Sequence, residues 1–212
     1  MKILLYIAAA VIGYLVGSLN FAIIVCKLTG KDDIRNHGSK NAGMTNMLRV
    51  YGKPAAVMTF LGDFLKGAVS ILLVRLLFLL CGADEPVWVD YLTGFTAMLG
   101  HSYPLYYGFR GGKGVMMAIG IIILLVPIPS IPTFLLFVLI LACRRIVSLS
   151  SIIASASAPF WIWLYGYLTN DPNLWTKVLG AACMASLIVF RHHSNIARLI
   201  RGEENTFRSK KS

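Results

Sequence analysis

Three stretches of this chain gather residue types suited to anion binding. Residues 38–49 read GSKNAGMTNMLR. Gly38 and Gly43 reach backbone torsions closed to other residues, so several N–H groups can point at one centre. Ser39, Asn41, Thr45 and Asn46 add short donors, and Arg49 adds a planar fork that matches phosphate oxygens. A solvated turn joining two helices would use many of the same residues. Residues 100–115 read GHSYPLYYGFRGGKGV, where Gly111, Gly112 and Gly114 flank Lys113 at the expected start of a helix. A point charge among exposed amides at a helix start again suits an anion. The spacing is not that of a Walker A loop. His101, in the same stretch, reads as an acid or base or, more plainly, as a hydrogen-bonded residue at a helix end. Residues 191–204 read RHHSNIARLIRGEE. On a helix His192 and Asn195 share a face, Ile196 and Leu199 can anchor at a membrane interface, and Glu203 and Glu204 are expected in solvent.

These stretches sit between apolar segments. The chain has 212 residues, of which 57% are hydrophobic and 14% charged, the balance of an integral membrane protein. Apolar runs occupy roughly 3–26, 55–80, 91–107, 115–126, 132–143, 149–168 and 177–190, and the longest reach the ~20 residues a spanning helix needs. The expected fold is therefore all-α, a single membrane domain over residues 1–212 with about seven transmembrane helices and a basic tail from about residue 200. Residues 115–143, with Pro127, Pro129 and Pro132 at their middle, are too short for two full spans; two short helices or one broken helix fit there, and the charge pattern favours a hairpin of two short helices. The first run lacks a convincing cleavage site and reads as an uncleaved span. In it, Gly13 and Gly17 form a small-xxx-small pair for helix packing.

The net charge of +11 need not mean nucleic acid, because of where the charges lie. With seven crossings, one side receives sixteen of the 20 Lys and Arg residues, while Asp84, Glu85, Asp90 and Asp171 fall on the other. This is the positive-inside pattern, placing the three polar clusters and the C-terminus in the cytoplasm and the N-terminus outside. RRIVSLSS, residues 144–151, falls on the same side with two cations and several hydroxyls. Asp63 and Lys66 lie inside an apolar run, where ionisable groups are costly; three residues apart, they are expected to pair within the bundle. Cys26, Cys81, Cys143 and Cys183 have no metal or disulfide spacing and read as buried thiols.

GSKNAGMTNMLRVYGKP, GHSYPLYYGFRGGKG and HHSNIARLIRGEE resemble, in order and spacing, the three cytoplasmic signature motifs of the bacterial acyl-phosphate:glycerol-3-phosphate acyltransferases, the PlsY family. Lys40 stands where that family usually has Gly, Met44 where it has Ala, and Tyr103 and Arg110 replace a usual Phe and Lys. The resemblance implies an enzyme of the bacterial cytoplasmic membrane acting at the first step of phospholipid synthesis. The 1-hydroxyl of glycerol 3-phosphate would attack the carbonyl of a long-chain acyl phosphate, releasing phosphate and lysophosphatidic acid without a covalent acyl-enzyme. By resemblance Ser39, Arg49, Lys113, His192 and Asn195 are catalytic. Gly38, Asn41, Gly43, Thr45, Asn46, Gly111, Gly112, Gly114 and, more weakly, Ser148 contact substrate. The base is His192 or a substrate phosphate oxygen. No metal or other cofactor is implied; the partners are the two substrates, membrane lipid and the enzyme that supplies acyl phosphate. The main alternative is a transporter of a phosphorylated metabolite, against which stand the gathering of polar clusters on one side and the lack of an inverted repeat. A scaffold would not need such loops, and a CDP-type alcohol phosphotransferase would need an aspartate cluster that is missing.

Overall fold

The computed structural model describes residues 2–206, and among them every regular element is helical. The part of the basic tail from 207 to 212 lies outside the described residues. The chain forms two compact units that divide between Leu125 and Val126.

In the first unit, α1 (Lys2–Gly17) and α2 (Phe21–Leu28) together make the first apolar run, bent by 43° between them. The run is thus two helices where one continuous span was expected. Asn20, fully buried, causes the break: its side chain accepts from the Ile23 amide and caps α2. The glycine pair of α1 packs as expected, against α4 (Val87–Ser102). A Cβ on Gly17 would lie 2.0 Å from the Ala97 carbonyl oxygen, so the two backbones are nearly in touch. The longest helix, α3 (Met44–Leu80), is interrupted at Gly52, whose φ of 82° breaks the ladder just before Pro54. Its first part carries the polar loop and its second the apolar run. The unit closes with α5 (Val115–Leu125), which packs so closely on α3 that a Cβ on Gly120 would lie 2.1 Å from the Phe64 carbonyl oxygen. At the far end of α3, Arg75 grips Asp90 of α4 with two hydrogen bonds, Nε to Oδ1 at 3.0 Å and Nη2 to Oδ2 at 2.7 Å.

The second unit runs α6 (Pro127–Arg144), α7 (Val147–Leu168), α8 (Leu174–Arg191) and α9 (His193–Ile200). Pro127 begins α6, where its missing N–H costs nothing. Arg145, at φ 55°, ends it in a left-handed turn that leads directly into α7. Asp171 pairs with Lys177 across the α7–α8 turn.

Three helices, α6, α7 and α8, are each long and apolar enough to cross a membrane, and α1 with α2 make a fourth if counted together. The expected hairpin of two short helices is therefore half right. Only α5 is short, at 11 residues or roughly 16 Å against the ~30 Å of a hydrocarbon core. α6 is a full-length helix whose Ile128, Ile131, Phe134, Leu135 and Leu139 are more than half exposed. The cysteines also differ from expectation: Cys26 is buried, but Cys81, Cys143 and Cys183 are exposed. An apolar neighbourhood in the sequence can mean lipid rather than protein interior.

Candidate active site

The first polar loop is built on α2 and the start of α3. Ala22, Ile23, Val25 and Cys26 of α2 pack with Ile34, Ala42 and Met47 into a small core beneath it. On that base Asn46, only 2% exposed, organises the turn. Its Nδ2 donates to the carbonyl oxygens of His37, Asn41 and Ile34, at 3.0, 3.1 and 3.3 Å, and its Oδ1 accepts from the Ser39 amide at 2.9 Å. The Asn46 amide thus binds its own loop instead of reaching outward. Gly38, at φ 56°, passes so close that a Cβ would lie 2.4 Å from Asn46 Oδ1. This bracing leaves Ser39 exposed at the rim and Asn41, Gly43 and Thr45 half-buried. Helix α3 starts after Gly43 with no side-chain cap, so the positive end of its backbone dipole opens into the same turn. Arg49 is exposed on the first part of α3.

Lys40 takes φ 57°, a conformation natural to glycine that costs other residues about 1 kcal/mol or more. Its side chain is exposed. Met44 packs against the small core. Neither bulky residue fills the turn.

The second loop is clamped to α1, to Ser18 just beyond it, and to the end of α4. Tyr14 donates its hydroxyl to the Tyr103 carbonyl at 2.8 Å, and the Leu105 amide donates to Ser18 Oγ at 3.3 Å. Gly111 N–H donates to the Ser102 carbonyl and Gly112 N–H to that of His101. Arg35 and Gly112 are among the residues that join the loops. Arg35 donates through Nη1 to the carbonyls of Tyr107 and Arg110, at 2.6 and 3.2 Å, while Nε and Nη2 hold Asp33. The Arg35 hydrogen bonds hold the Asp33 carboxyl below the usual range, against the opposing effect of burial. Another contact is Gly112 against the Ala42 carbonyl oxygen, which a Cβ on Gly112 would approach to 2.6 Å. Lys113 follows at once, half-buried, before α5 begins. The fold therefore brings the Gly38–Arg49 and Gly111–Gly114 stretches together within one unit. Arg35 was not among the expected site residues; its Asp-x-Arg spacing, at the end of the stretch GSLNFAIIVCKLTGKDDIR, was the available signal.

In the second unit His192 lies at the junction of α8 and α9, 3% exposed, with Asn195 5% exposed on the following turn. His192 Nδ1 lies 2.8 Å from the Ile188 carbonyl oxygen. A carbonyl only accepts, so Nδ1 carries the proton and Nε2 of the neutral ring has the lone pair. Glu204 corrects the sequence reading: it is not solvated but turned inward, its side chain 5% exposed. Oε1 accepts from Asn195 Nδ2 at 2.9 Å and Oε2 from Arg198 Nε at 2.8 Å. Burial raises the Glu204 pKa, but the Asn195 and Arg198 donors outweigh it and hold the carboxyl below the ordinary glutamate range. Ser148, at the start of α7, is buried beside that carboxylate. Glu203 stays in solvent, paired with Arg201. The second unit thus collects Ser148, His192, Asn195 and Glu204.

A family model for glycerol-3-phosphate acyltransferases matches residues 7–202 of the chain. A glycerol-3-phosphate acyltransferase of Thioalkalivibrio sulfidiphilus is 42% identical over 202 residues, covering 95% of this chain and 94% of its own. One of Aquifex aeolicus is 39% identical over 197 residues, covering 93% and 96%. The crystal structure of PlsY, an integral membrane glycerol 3-phosphate acyltransferase, in its glycerol 3-phosphate form superposes with a TM-score of 0.81 at 37% identity, covering 96% of each chain. Its lysophosphatidic acid form gives 0.79 at 36% identity, covering 95% and 94%. With matches of this identity along nearly its whole length, and apolar helices to suit, the chain belongs to the PlsY family of integral membrane glycerol-3-phosphate acyltransferases.

Proposed function

We propose that this protein transfers a fatty acyl group from an acyl phosphate to the 1-hydroxyl of glycerol 3-phosphate, yielding lysophosphatidic acid and inorganic phosphate. The observation that carries the reading is the junction of two glycine-rich loops at Ala42 and Gly112, each with a cation of its own, Arg49 and Lys113. Two substrates each bearing a phosphate call for such a pair. The whole chain acts as one membrane acyltransferase domain, and the positive-inside pattern puts both loops and the C-terminus on the cytoplasmic side of a bacterial cytoplasmic membrane. There it takes acyl phosphate from the enzyme that makes it.

In the reaction the hydroxyl oxygen bonds to the acyl carbon. The bond from that carbon to the phosphate oxygen breaks, and its electron pair leaves with phosphate. The hydroxyl proton passes to His192 Nε2 or to a phosphate oxygen. Because phosphate leaves a mixed anhydride readily, positioning and charge stabilisation carry most of the catalysis. Arg49 and Lys113 hold phosphate oxygens. The Ser39 hydroxyl, with those amides of residues 38–46 that the turn does not bond internally, contacts phosphate and the acyl carbonyl. Gly111 and Gly114 shape the turn around Lys113. Asn46 serves from behind, holding the turn open. His192 and Asn195 orient glycerol 3-phosphate, with Glu204 fixing Asn195 and Ser148 alongside.

The test mixes purified protein in detergent with palmitoyl phosphate and glycerol 3-phosphate and follows phosphate release, with palmitoyl coenzyme A as the control donor. Phosphate release that needs both substrates is expected, with no free coenzyme A thiol and no lysophosphatidic acid formed from the thioester. No release, together with counterflow of glycerol 3-phosphate in liposomes, would replace this reading by a transporter.

A further inference from the structure

Lys66 lies on the apolar part of α3, 4% exposed, and its ammonium group makes three contacts. It donates to Asp63 Oδ1 at 2.8 Å, to the Leu19 carbonyl oxygen at 2.6 Å and to His101 Nδ1 at 2.9 Å. The Leu19 carbonyl lies in the break between α1 and α2, and Asp63 Oδ1 also accepts from the Phe21 amide at 3.4 Å. His101 is 3% exposed. An ammonium has donors only, so Nδ1 of His101 must accept and the ring proton sits on Nε2. That Nε2 edge faces the loop junction: a Cβ on Gly112 would lie 2.2 Å from it and 2.6 Å from the Ala42 carbonyl oxygen.

We propose that Asp63, Lys66 and His101 are positioning residues: Lys66 pins His101 as the neutral Nε2–H tautomer, which sets the Gly111–Gly112 turn on Ala42 and so places Lys113. The inference rests on the function proposed above for what Lys113 does, but not for the tautomer itself. The charge buried at Lys66 then has a use beyond stability, because a buried pair alone is easily replaced by apolar side chains. Nδ1 of His101 is also 3.5 Å from Asp63 Oδ1. Without the ammonium, that carboxylate would draw a proton to Nδ1, and the ring would offer a different face to the loop.

Nitrogen-15 spectra of histidine-labelled protein in detergent at pH 7, with His101→Gln to assign the signal, read the tautomer directly. Wild type should give a neutral Nε2–H ring at His101, and Lys66→Met should give an Nδ1-protonated ring. Asp63→Asn combined with Lys66→Met removes the stranded carboxylate as well, so it guards against misfolding of the single variant. That double variant should stay folded by thermal unfolding yet lose about 10- to 100-fold in kcat/KM, the scale on which outer-shell positioning acts. An Nδ1-protonated His101 in wild type, or a folded double variant with wild-type kcat/KM, would overturn the proposal. If wild type releases no phosphate, the functional reading fails while the spectra still decide the tautomer.

Discussion

Gly112→Ala is the sharpest probe of the loop junction, because the structure states what the added methyl meets. A Cβ there would lie 2.2 Å from His101 Nε2 and 2.6 Å from the Ala42 carbonyl oxygen, whereas ordinary contacts begin at 3.4 Å. Neither neighbour is the loose end of a flexible side chain. Ala42 is backbone under a packed core, and His101 is held by Lys66. The turn must therefore move by roughly 1 Å, carrying Lys113 with it, and a misplacement of that size costs a positioned reaction about 100-fold. In barrier terms that is about 2.7 kcal/mol. Steady-state phosphate release with each substrate varied in turn measures it, and thermal unfolding in the same detergent separates it from a folding defect. Gly82→Ala is the control: φ is 58°, but nothing lies within 4 Å. It should lose about 1–2 kcal/mol of stability from backbone strain alone and keep its turnover. Wild-type kcat/KM in Gly112→Ala would refute the argument that this contact holds the two loops in register.

Arg49→Ala and Lys113→Ala should each lower kcat/KM by roughly 100- to 1,000-fold while unfolding like wild type, as expected for a lost charge-assisted contact; wild-type rates in either would remove that residue from the site. Asn46→Ala strips the acceptor from Ser39 N–H and the donors from three loop carbonyls, so it should cost roughly 1–3 kcal/mol of stability and lower activity, and a variant as stable as wild type would contradict the bracing role. Because the Glu204 pKa is depressed in the folded protein, its stabilising contribution is complete above the ordinary glutamate pKa of ~4.3 and is lost as pH falls through the folded value. The difference in melting temperature between wild type and Glu204→Gln should therefore be full at pH 7 and shrink only as pH falls below about 4.3; a gap that ignores pH throughout the acid range would argue against the inward carboxylate. With the proposed orientation, a membrane-impermeant maleimide on intact cells should label Cys81, at the outer end of α3, and reach Cys143 only after permeabilisation. The opposite order would invert the topology.

Much of the fold could be read along the chain because its signals are local. Apolar runs became helices, Asp63 and Lys66 paired across one helical turn, and Gly13 and Gly17 marked a close helix contact. The break at Asn20 was hidden inside an apolar run, since a cap there looks like one polar residue in a span. The hairpin at 115–143 misled because prolines and length alone do not say on which side of Pro127 the longer helix will form.

Residue types and spacing by themselves determined that this is a helical membrane protein, that phosphate-suited loops join its apolar segments, and which family it resembles. Those properties follow from composition and short-range pattern. Only the tertiary structure decided which side chains face the turn and which support it. Asn46 turned inward because the loop's carbonyls needed donors. Glu204 folded back because Asn195 and Arg198 offered it better partners than water. His101 came to rest on Lys66, 35 residues away in sequence, because a buried ammonium must fill all three of its donors.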